Sequence, residues 1–259
     1  MKNLTTRDGA VTAVQSGSGE DIVLLHSLLC DRTSFDAVLP VLAARYRVTS
    51  INLPGFHGSR TVAANIKSYV DAIAKAIDEF GVGESMTLMG NGFGGTLALA
   101  LAAAKPTAVS KLVVVDAAAA FPEAGRQAFV SMAALVRDQG MSAIATVAAR
   151  RVYHDSYIDK HPHVIEERRA VLLGIEPNSF LAACEILASI DLLPELPSIR
   201  TPTLVVYGSH DQATPPDLIR AIVRAVPNAQ MREIDDCGHC PPLEKPKEFL
   251  SALQGFVAT

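Results

Sequence analysis

The segment from Met86 to Ala104 limits what this chain can fold into more than any other stretch. Its apolar start, Met86 to Met89, predicts a buried strand, and the glycine-rich run from Gly90 to Gly95 predicts a sharp turn. The small-residue run that ends at Ala104 predicts a helix packed directly behind that strand. A strand that reverses so tightly into a helix brings backbone against backbone, so glycines are expected where a Cβ would not fit. These features predict an α/β fold organised around this turn.

The turn matches the G-x-S-x-G nucleophile elbow, which presents a serine at a strand-to-helix turn, except at its central position. Gly90 and Gly94 fit the flanking glycines, but the middle residue is Gly92. A glycine-rich phosphate loop is the alternative interpretation. It is disfavoured because no Lys-Ser/Thr pair follows and because the segment does not follow the first strand. The elbow interpretation predicts an acid and a histidine further along the chain.

Composition narrows the class of protein. The chain has 259 residues, 49% of them hydrophobic, which is enough for one large core with an insertion. Its formal net charge is −4 and no basic run exceeds two residues, so we expect neither a nucleic-acid partner nor a polybasic membrane patch. The first residues contain no apolar signal region, and no apolar run approaches transmembrane length. A soluble, cytoplasmic protein is expected, and its oligomeric state is left open.

Cysteine usage predicts neither a disulfide framework nor a metal site. The chain has four cysteines, too few for a disulfide scaffold at this length. Cys237-Gly-His-Cys240 matches the C-x-x-C pattern of thiol oxidoreductases, but it lies near the end of the chain and Pro241-Pro242 follows at once. His239 lies inside the pair and no second ligand pair follows, which disfavours zinc. We expect no metal and no cofactor.

Strand and helix patterns alternate along most of the chain. An opening hairpin is predicted within residues 4–15, and a final helix from Pro246 to Val257. Further strands are predicted over residues 22–25, 46–51, 86–89, 112–116, 203–207 and 230–234. This alternation predicts a mostly parallel central sheet with helices on both faces. Only helical periodicity appears between the strands near residues 116 and 203, so we predict a core of residues 1–120 and 197–259 with a helical cap, residues 121–196, inserted in it.

Two residues after the elbow fit the roles of acid and histidine. Asp211 ends Gly208-Ser-His-Asp211 after a predicted strand, and His239 precedes the last helix, in the chain order nucleophile, acid, histidine. The carboxylate is needed to hold the imidazole in one tautomer and to stabilise its charged form. The alternatives are a turn or capping role for Asp211, a capping role for His239, and Asp116 as a rival acid at its own strand end.

The loop that begins at His26 is predicted to complete the site. Backbone N–H groups from the residue after the nucleophile and from the early strand-to-helix loop form the oxyanion hole of such elbows, which points to Phe93 and Leu28. His26 is predicted to orient the loop. We predict substrate contacts for Ser27 on this loop and for Asn91 in the elbow.

The chain resembles the α/β-hydrolase superfamily over nearly its whole length. The motifs stand in the family's order: His26-Ser-Leu, Pro54-Gly-Phe-His-Gly-Ser59, Gly90-Asn-Gly-Phe-Gly-Gly95, Gly208-Ser-His-Asp211 and Gly238-His239. Within the superfamily the chain is similar to 3-oxoadipate enol-lactonases and related small-lactone hydrolases. That similarity lies in His161-Pro-His-Val-Ile-Glu-Glu-Arg-Arg-Ala170, Ala182-Ala-Cys-Glu185, Pro202-Thr-Leu-Val-Val and Asp211-Gln-Ala-Thr-Pro-Pro216. The elbow is also similar to that of carbon-carbon bond hydrolases of aromatic degradation.

The resemblance implies hydrolysis of a small carboxylic ester or lactone by a serine-hydrolase mechanism. Position 92 would hold the nucleophile, His239 would act as general base and then acid, and Asp211 would orient it. The enol-lactonase similarity further implies that one of the cap arginines Arg150 and Arg151, or one of the pair Arg168 and Arg169, binds a substrate carboxylate; the alternative is that all four are solvated helix residues.

Gly92 is the departure from the family's pattern. We interpret it as a substitution for serine that leaves the chain inactive or severely impaired, with a natural member that gave up acyl-enzyme chemistry as the alternative. Such a member would be a ligand-binding pseudoenzyme, or a lyase that uses His239 on a bound acid. Whether Ser27 replaces the missing nucleophile is left open.

Overall fold

The computed structural model describes residues 1–259 and contains a single sheet of eight strands. The strands are β1 (Lys2–Thr5), β2 (Thr12–Ser16), β3 (Glu20–Leu25), β4 (Tyr46–Asn52), β5 (Met86–Asn91), β6 (Val109–Val115), β7 (Thr203–Gly208) and β8 (Ala229–Ile234). Their order across the sheet is β1-β2-β4-β3-β5-β6-β7-β8. The first two strands run antiparallel to their neighbours and all later pairs are parallel, which confirms the predicted mostly parallel sheet.

Eleven α-helices connect and cover the strands. They are α1 (Leu39–Ala43), α2 (Ile66–Glu79), α3 (Phe93–Ala104), α4 (Glu123–Gln139), α5 (Ala145–Arg150), α6 (Asp155–Lys160), α7 (His163–Leu173), α8 (Pro177–Ser189), α9 (Pro216–Ala225), α10 (Pro241–Glu244) and α11 (Pro246–Leu253). Short 3₁₀ helices lie at Arg32–Phe35, Met141–Ala143 and Leu196–Ser198. The final helix is shorter than predicted. It stops at Leu253 because Gln254 is extended and Gly255 adopts a left-handed φ of 79°.

The central strand β5 is buried on both faces, as its apolar run predicts. Successive side chains of a strand point to opposite faces, so Leu88 packs into the larger core cluster and its neighbour Met89 into the smaller one. The larger cluster includes side chains of α2, α3 and α9, and the smaller one includes side chains of α1 and α11. Helices therefore cover both faces of the sheet, and the carboxyl ends of the parallel strands meet at one edge.

The stretch between β6 and β7 is helical. It contains α4 to α8, and its only strand-like contact is an isolated bridge between Ala120 and Asp191. No single helix of the protein is long and apolar enough to cross a membrane; α7 and α8 reach that length and composition only together, as a pair bent by 98°. The division into a core and a cap stays a prediction.

Candidate active site

The turn after β5 has the tight geometry that its glycines predict. A Cβ added to Gly90 would lie 2.6 Å from the backbone nitrogen of Gly95, and one added to Gly94 would lie 2.6 Å from the carbonyl oxygen of His26. Real Cβ atoms do not approach other atoms so closely, so only glycine fits at either position. Gly92 itself has φ 54° and ψ −120°, a backbone conformation in which any other residue is strained.

The space beside Gly92 is filled by side chains from two distant loops. A Cβ built on Gly92 would lie 2.8 Å from His239 Nε2, 2.9 Å from Ser27 Cβ, and in contact with Ser27 Oγ. The histidine therefore faces the elbow position, as predicted for a base. The hydroxyl that stands beside it belongs to Ser27, whose Oγ lies 3.1 Å from His239 Nε2.

The other ring nitrogen of His239 contacts the predicted acid. His239 Nδ1 lies 2.9 Å from Asp211 Oδ2, and both residues are buried. Asp211 also accepts hydrogen bonds from the backbone nitrogen of Ala213 at 2.7 Å, from that of Thr214 at 3.2 Å, and from the Thr214 hydroxyl. Asp211 thus makes the turn contacts that the alternative interpretation predicts and also contacts the histidine. The turn contacts hold its carboxylate facing the imidazole ring.

The Asp211–His239 pair stabilises a positive charge on the imidazole ring. Burial disfavours the charged form of His239, but the Asp211 carboxylate outweighs burial and raises the pKa of His239 above its ordinary value. Burial likewise opposes ionisation of Asp211, but the charge of His239 and the hydrogen bonds from His239, Thr214 and Ala213 outweigh it and lower the pKa of Asp211. Each partner therefore stabilises the charged form of the other.

The rival acid, Asp116, does not contact His239. It follows β6, is fully buried, and accepts a hydrogen bond at 3.0 Å from the backbone nitrogen of Gly208. Burial and then the neighbouring Asp211 carboxylate raise the pKa of Asp116 well above its usual value. Asp116 therefore holds the backbone of Gly208 at the end of β7 and does not touch the histidine.

His26 fixes the loop that carries Ser27 and Leu28. Its Nε2 accepts a hydrogen bond from the Leu53 backbone nitrogen at 3.0 Å, so the proton is on Nδ1, which lies 2.8 Å from the Ser27 carbonyl oxygen. Burial lowers the pKa of His26 to about 4, and the ring is therefore neutral at physiological pH. The Gly94 backbone nitrogen donates to the His26 carbonyl oxygen at 3.0 Å, which ties this loop to the start of α3.

Two backbone N–H groups are left without acceptors where the loop after β3 meets the start of α3. The N–H groups of Leu28 and Phe93 have no acceptor in the protein. Phe93 is the first residue of α3, where an N–H group has no partner within the helix. Both residues line the same cavity as Ser27 and His239. A developing negative charge in this cavity would therefore meet unpaired donors.

The cavity beside Gly92 has a volume of about 490 Å³ and is lined by 23 residues, 12 of them hydrophobic. One wall is a single face of α4 together with the two residues before the helix: Phe121, Pro122, Ala124, Gly125, Ala128, Phe129 and Met132. Another part of the lining comes from the loop after Asp211 and the start of α9. The volume suits a small organic molecule, and the apolar lining favours one with hydrocarbon parts.

The sequence matches the alpha/beta hydrolase family over residues 22–252, which is most of the chain. The chain belongs to the alpha/beta hydrolase family. It is 26% identical over 258 residues to a pimeloyl-[acyl-carrier protein] methyl ester esterase of Aeromonas hydrophila, covering 96% of this chain and 99% of that protein. It is 25% identical to 3-oxoadipate enol-lactonase 2 of Acinetobacter baylyi, covering 98% of this chain and 95% of that protein. The structure of a thermophilic esterase from Thermogutta terrifontis superposes with a TM-score of 0.86 at 28% identity, covering 98% of this chain and 97% of that one.

Asn91, for which a substrate contact was predicted, lies outside the cavity lining of this alpha/beta hydrolase. Its side chain is fully buried, and Nδ2 donates to the carbonyl oxygens of Val115 at 3.2 Å and of His239 at 2.9 Å. The prediction missed this because a polar residue at a strand end looks the same in the sequence whether it faces a cavity or a neighbouring loop. Its contacts are those of a residue that positions the histidine loop.

The four cap arginines differ in their access to the main cavity. Arg151 lines it and has no ion-pair partner, whereas Arg150 lies 3.2 Å from Asp155 and lines only a neighbouring cavity of about 240 Å³. Arg168 is buried 3.9 Å from Asp31, and Arg169 pairs with Glu166. Of these four candidate arginines, the structure brings only Arg151 to the elbow cavity.

Glu244 is a buried group that sequence reasoning missed. Its Oε2 accepts hydrogen bonds from the backbone nitrogens of Gly238 at 2.9 Å and His154 at 3.1 Å, and so it holds the residue before His239. Burial raises the pKa of Glu244 to about 7. A glutamate six positions after a glycine gives no sequence signal for such a contact.

Only one cluster of side chains has the geometry to hold a metal ion: His154, His210 and Asp236, whose ligand atoms lie within 4.8 Å of one another. The Asp236 carboxylate already accepts from Ser156 at 2.9 Å and lies 3.5 Å from Lys245 Nζ, and the two histidine rings are stacked 4.1 Å apart. The C-x-x-C cysteines do not form a bond to each other; all four cysteines are free and buried. Neither the His154, His210 and Asp236 cluster nor the cysteines line the cavity beside Gly92.

Proposed function

We propose that this chain carries a serine-hydrolase-type site for small carboxylic esters or lactones, with position 92 as the site of the nucleophile. One observation carries the proposal: His239 contacts Asp211 through Nδ1, while its Nε2 lies 2.8 Å from the place of a Cβ on residue 92. A base held by a carboxylate on one nitrogen and facing the elbow with the other is the arrangement that activates a hydroxyl at that position. The names of the esterase and enol-lactonase relatives support the substrate class.

Each residue would act at a defined step. His239 Nε2 would take the proton of a hydroxyl on residue 92 as that oxygen attacks the carbonyl carbon, and would return it to the leaving oxygen. Asp211 would keep the ring in the Nδ1–H tautomer and stabilise its charged form. The free N–H groups of Leu28 and Phe93 would donate to the developing oxyanion. No step of this scheme calls for a metal or a cofactor.

Glycine at position 92 removes the hydroxyl from this route. We propose that it stands in place of a serine and that turnover through position 92 is absent in this chain. In subtilisin, loss of the nucleophilic serine lowers kcat by about 10⁶. The carboxylate, the histidine and both donors are retained here, which supports substitution within a working site over the loss of the whole site.

The helical cap, residues 121–196, would form part of the substrate-binding cavity. The face of α4 that lines the cavity supplies apolar contacts, and Arg151 supplies the one cationic side chain of the lining that has no ion-pair partner. A guanidinium group pairs with a carboxylate in bidentate geometry. We propose that Arg151 binds a carboxylate or another acceptor at the far end of the substrate.

The test is Gly92→Ser, assayed with p-nitrophenyl acetate and a panel of lactones and enol-lactones. Strain at φ 54° costs about 1–3 kcal/mol for a residue other than glycine. A factor of about 10⁶ corresponds to about 8 kcal/mol of activation free energy, so the catalytic gain exceeds the backbone strain. The Ser27 and His239 side chains must also shift to admit the new Cβ. We expect a burst of acyl-enzyme followed by turnover, and none in Gly92→Ser/His239→Ala. If the serine form folds and binds ligand but neither acylates nor turns over, the hydrolase proposal fails.

A further inference from the structure

We propose that Ser27 is a second nucleophile of this site and forms an acyl-enzyme in the chain as it stands. The proposal rests on the proposed function, because it uses the same base pair, His239 and Asp211. Ser27 Oγ lies 3.1 Å from His239 Nε2, and His239 Nδ1 lies 2.9 Å from Asp211 Oδ2. These distances place serine, histidine and aspartate in one continuous hydrogen-bonded chain that does not pass through residue 92.

The Ser27 hydroxyl has no other partner. His239 Nε2 is its only hydrogen-bond contact, although the residue is buried, with 1% of its surface exposed. A buried serine that serves only the fold is usually satisfied by a backbone carbonyl oxygen. Because His239 Nδ1 faces the Asp211 carboxylate, the proton is on Nδ1 and Nε2 is the acceptor. The Ser27 hydroxyl therefore donates to the nitrogen that would remove its proton.

The glycine at position 92 makes room for this contact. A Cβ at that position would meet both Ser27 and His239 Nε2, so the two side chains approach through the volume that an elbow side chain would otherwise occupy. The Ser27 backbone is fixed from two sides, since its carbonyl oxygen lies 2.8 Å from His26 Nδ1 and accepts from the Cys30 backbone nitrogen at 3.1 Å. The hydroxyl is held on a rigid loop at the edge of the cavity, which it lines.

Hydrolysis through Ser27 balances with water as the only co-reactant. Ser27 Oγ forms a bond to the carbonyl carbon while its proton passes to His239 Nε2. The bond from that carbon to the leaving oxygen breaks, the oxygen keeps the electron pair, and His239 gives it the proton. Water then attacks the acyl carbon, its proton passes to His239, the acid leaves, and the proton returns to Ser27 Oγ.

The free backbone donors serve this nucleophile as well. Leu28 directly follows Ser27, and Phe93 begins α3 across the cavity, and neither N–H group has an acceptor in the protein. Donors left unpaired beside a nucleophile are the requirement for stabilising an oxyanion. We expect the Ser27 route to be slower than turnover by a serine at position 92, because Ser27 is not held at the tip of a strand-to-helix turn.

A fluorophosphonate probe tests the proposal on the unmodified chain. Attack by a serine oxygen on phosphorus expels fluoride and leaves one stable adduct, which intact mass and peptide mapping locate. We expect a single adduct on Ser27. Ser27→Ala should abolish it and lower kcat/KM for p-nitrophenyl acetate by about 10²-fold or more. The matched control is Ser34→Ala, since the Ser34 hydroxyl is buried, has no hydrogen-bond partner and lies outside the cavity lining. That variant should keep both the adduct and the rate.

The double variant Gly92→Ser/Ser27→Ala separates the two proposals. If it turns over ester while the unmodified chain takes up no probe, or takes it up at another residue, Ser27 is not a nucleophile and the proposed function stands. If neither the unmodified chain nor the double variant reacts, and circular dichroism shows that both are folded, the proposed function fails as well. A labelling rate that rises with pH as His239 loses its proton, and that is lost in His239→Ala, supports the Ser27 assignment over nonspecific modification.

Discussion

The side-chain amide of Asn91 donates to the carbonyl oxygen of His239 across 2.9 Å, although the two residues are 148 positions apart. The same amide nitrogen donates to the Val115 carbonyl oxygen at 3.2 Å. A single side chain at the end of β5 therefore ties the end of β6 and the histidine loop to the elbow. The relative placement of His239 and residue 92 depends on this contact.

Substitution of Asn91 should separate positioning from substrate contact. We expect Asn91→Asp to lower the free energy of unfolding by more than Asn91→Ala, because a buried carboxylate would face two carbonyl oxygens instead of donating to them. The loss of the amide alone should amount to about 1–3 kcal/mol. Urea unfolding of both variants measures this. In the serine form, Asn91→Ala should lower kcat more than it raises KM; the opposite pattern would restore the predicted substrate contact.

The acid can be identified by two matched substitutions in the Gly92→Ser background. Asp211→Asn removes the charge that stabilises the imidazolium and disturbs the tautomer of His239, so kcat should fall by about 10³- to 10⁴-fold. Asp116→Asn keeps an acceptor for the Gly208 N–H group and does not contact His239, so kcat should change little. Steady-state kinetics with p-nitrophenyl acetate give the ranking. The reverse order would move the acid to the end of β6.

The pH dependence of the serine form should report on His239. The neutral ring is the base, and its pKa is raised by Asp211 against the effect of burial, so activity should rise with pH through an apparent pKa above the ordinary 6.5. The charge of Arg151 acts in the opposite direction and lowers the pKa of His239. Arg151→Gln should therefore move the acid limb of kcat/KM to higher pH.

Arg150→Gln is the control for that shift, because Arg150 pairs with Asp155 and does not line the elbow cavity. It should leave the acid limb in place. Arg151→Gln should also weaken binding of carboxylate-bearing lactones more than that of neutral ones. Equal losses for both classes would exclude Arg151 as a carboxylate contact.

Glu244 should make the stability of the protein depend on pH. Folding raises its pKa from 4.5 to about 7, so the unfolded chain loses this proton first. The favourable contribution of the protonated group is complete below about pH 4.5 and is lost as the pH rises through about 7, a change of about 3 kcal/mol at 1.36 kcal/mol per unit. Glu244→Gln keeps an oxygen acceptor for Gly238 and His154 and should be the more stable form above pH 7.

Urea unfolding of both forms at pH 4.5 and pH 8.5 measures the difference. Glu248→Gln, in which an exposed glutamate of α11 is replaced, should show no comparable dependence. A constant difference between Glu244→Gln and the parent chain across this range would mean that folding does not raise the pKa of Glu244.

Much of the fold could be predicted from the sequence because its signals are local. The apolar run at β5, the glycines of the turn and the small residues of α3 each reflect a neighbouring contact in the chain. The proximity of Asp211 and His239 was also foreseen, since parallel strands bring their carboxyl ends to one edge and the family's chain order fixes which loops meet. The final helix was predicted too long because apolar spacing continues past Leu253, where Gly255 turns the chain away.

The side-chain arrangement at the elbow could not be predicted in the same way. Ser27 and His239 are 212 positions apart, and their contact depends on the volume left free by Gly92. No pattern of residue types encodes that a missing Cβ in one loop admits a hydroxyl from another. The same holds for Arg150 and Arg151, whose different surroundings follow from where α5 ends.

The wall formed by α4 separates the shape of the cavity from the contacts of the histidine. Its cavity face carries small residues, Ala124, Gly125 and Ala128, on a helix whose backbone hydrogen bonds are internal. None of these side chains contacts His239 or Asp211, which are held by loops at the strand ends. Larger residues on this face would reduce the space for a bound molecule without changing the hydrogen bond between His239 and Asp211. Substitutions along this one helix can thus change which molecule the cavity accepts while the contacts of His239 and Asp211 stay as they are.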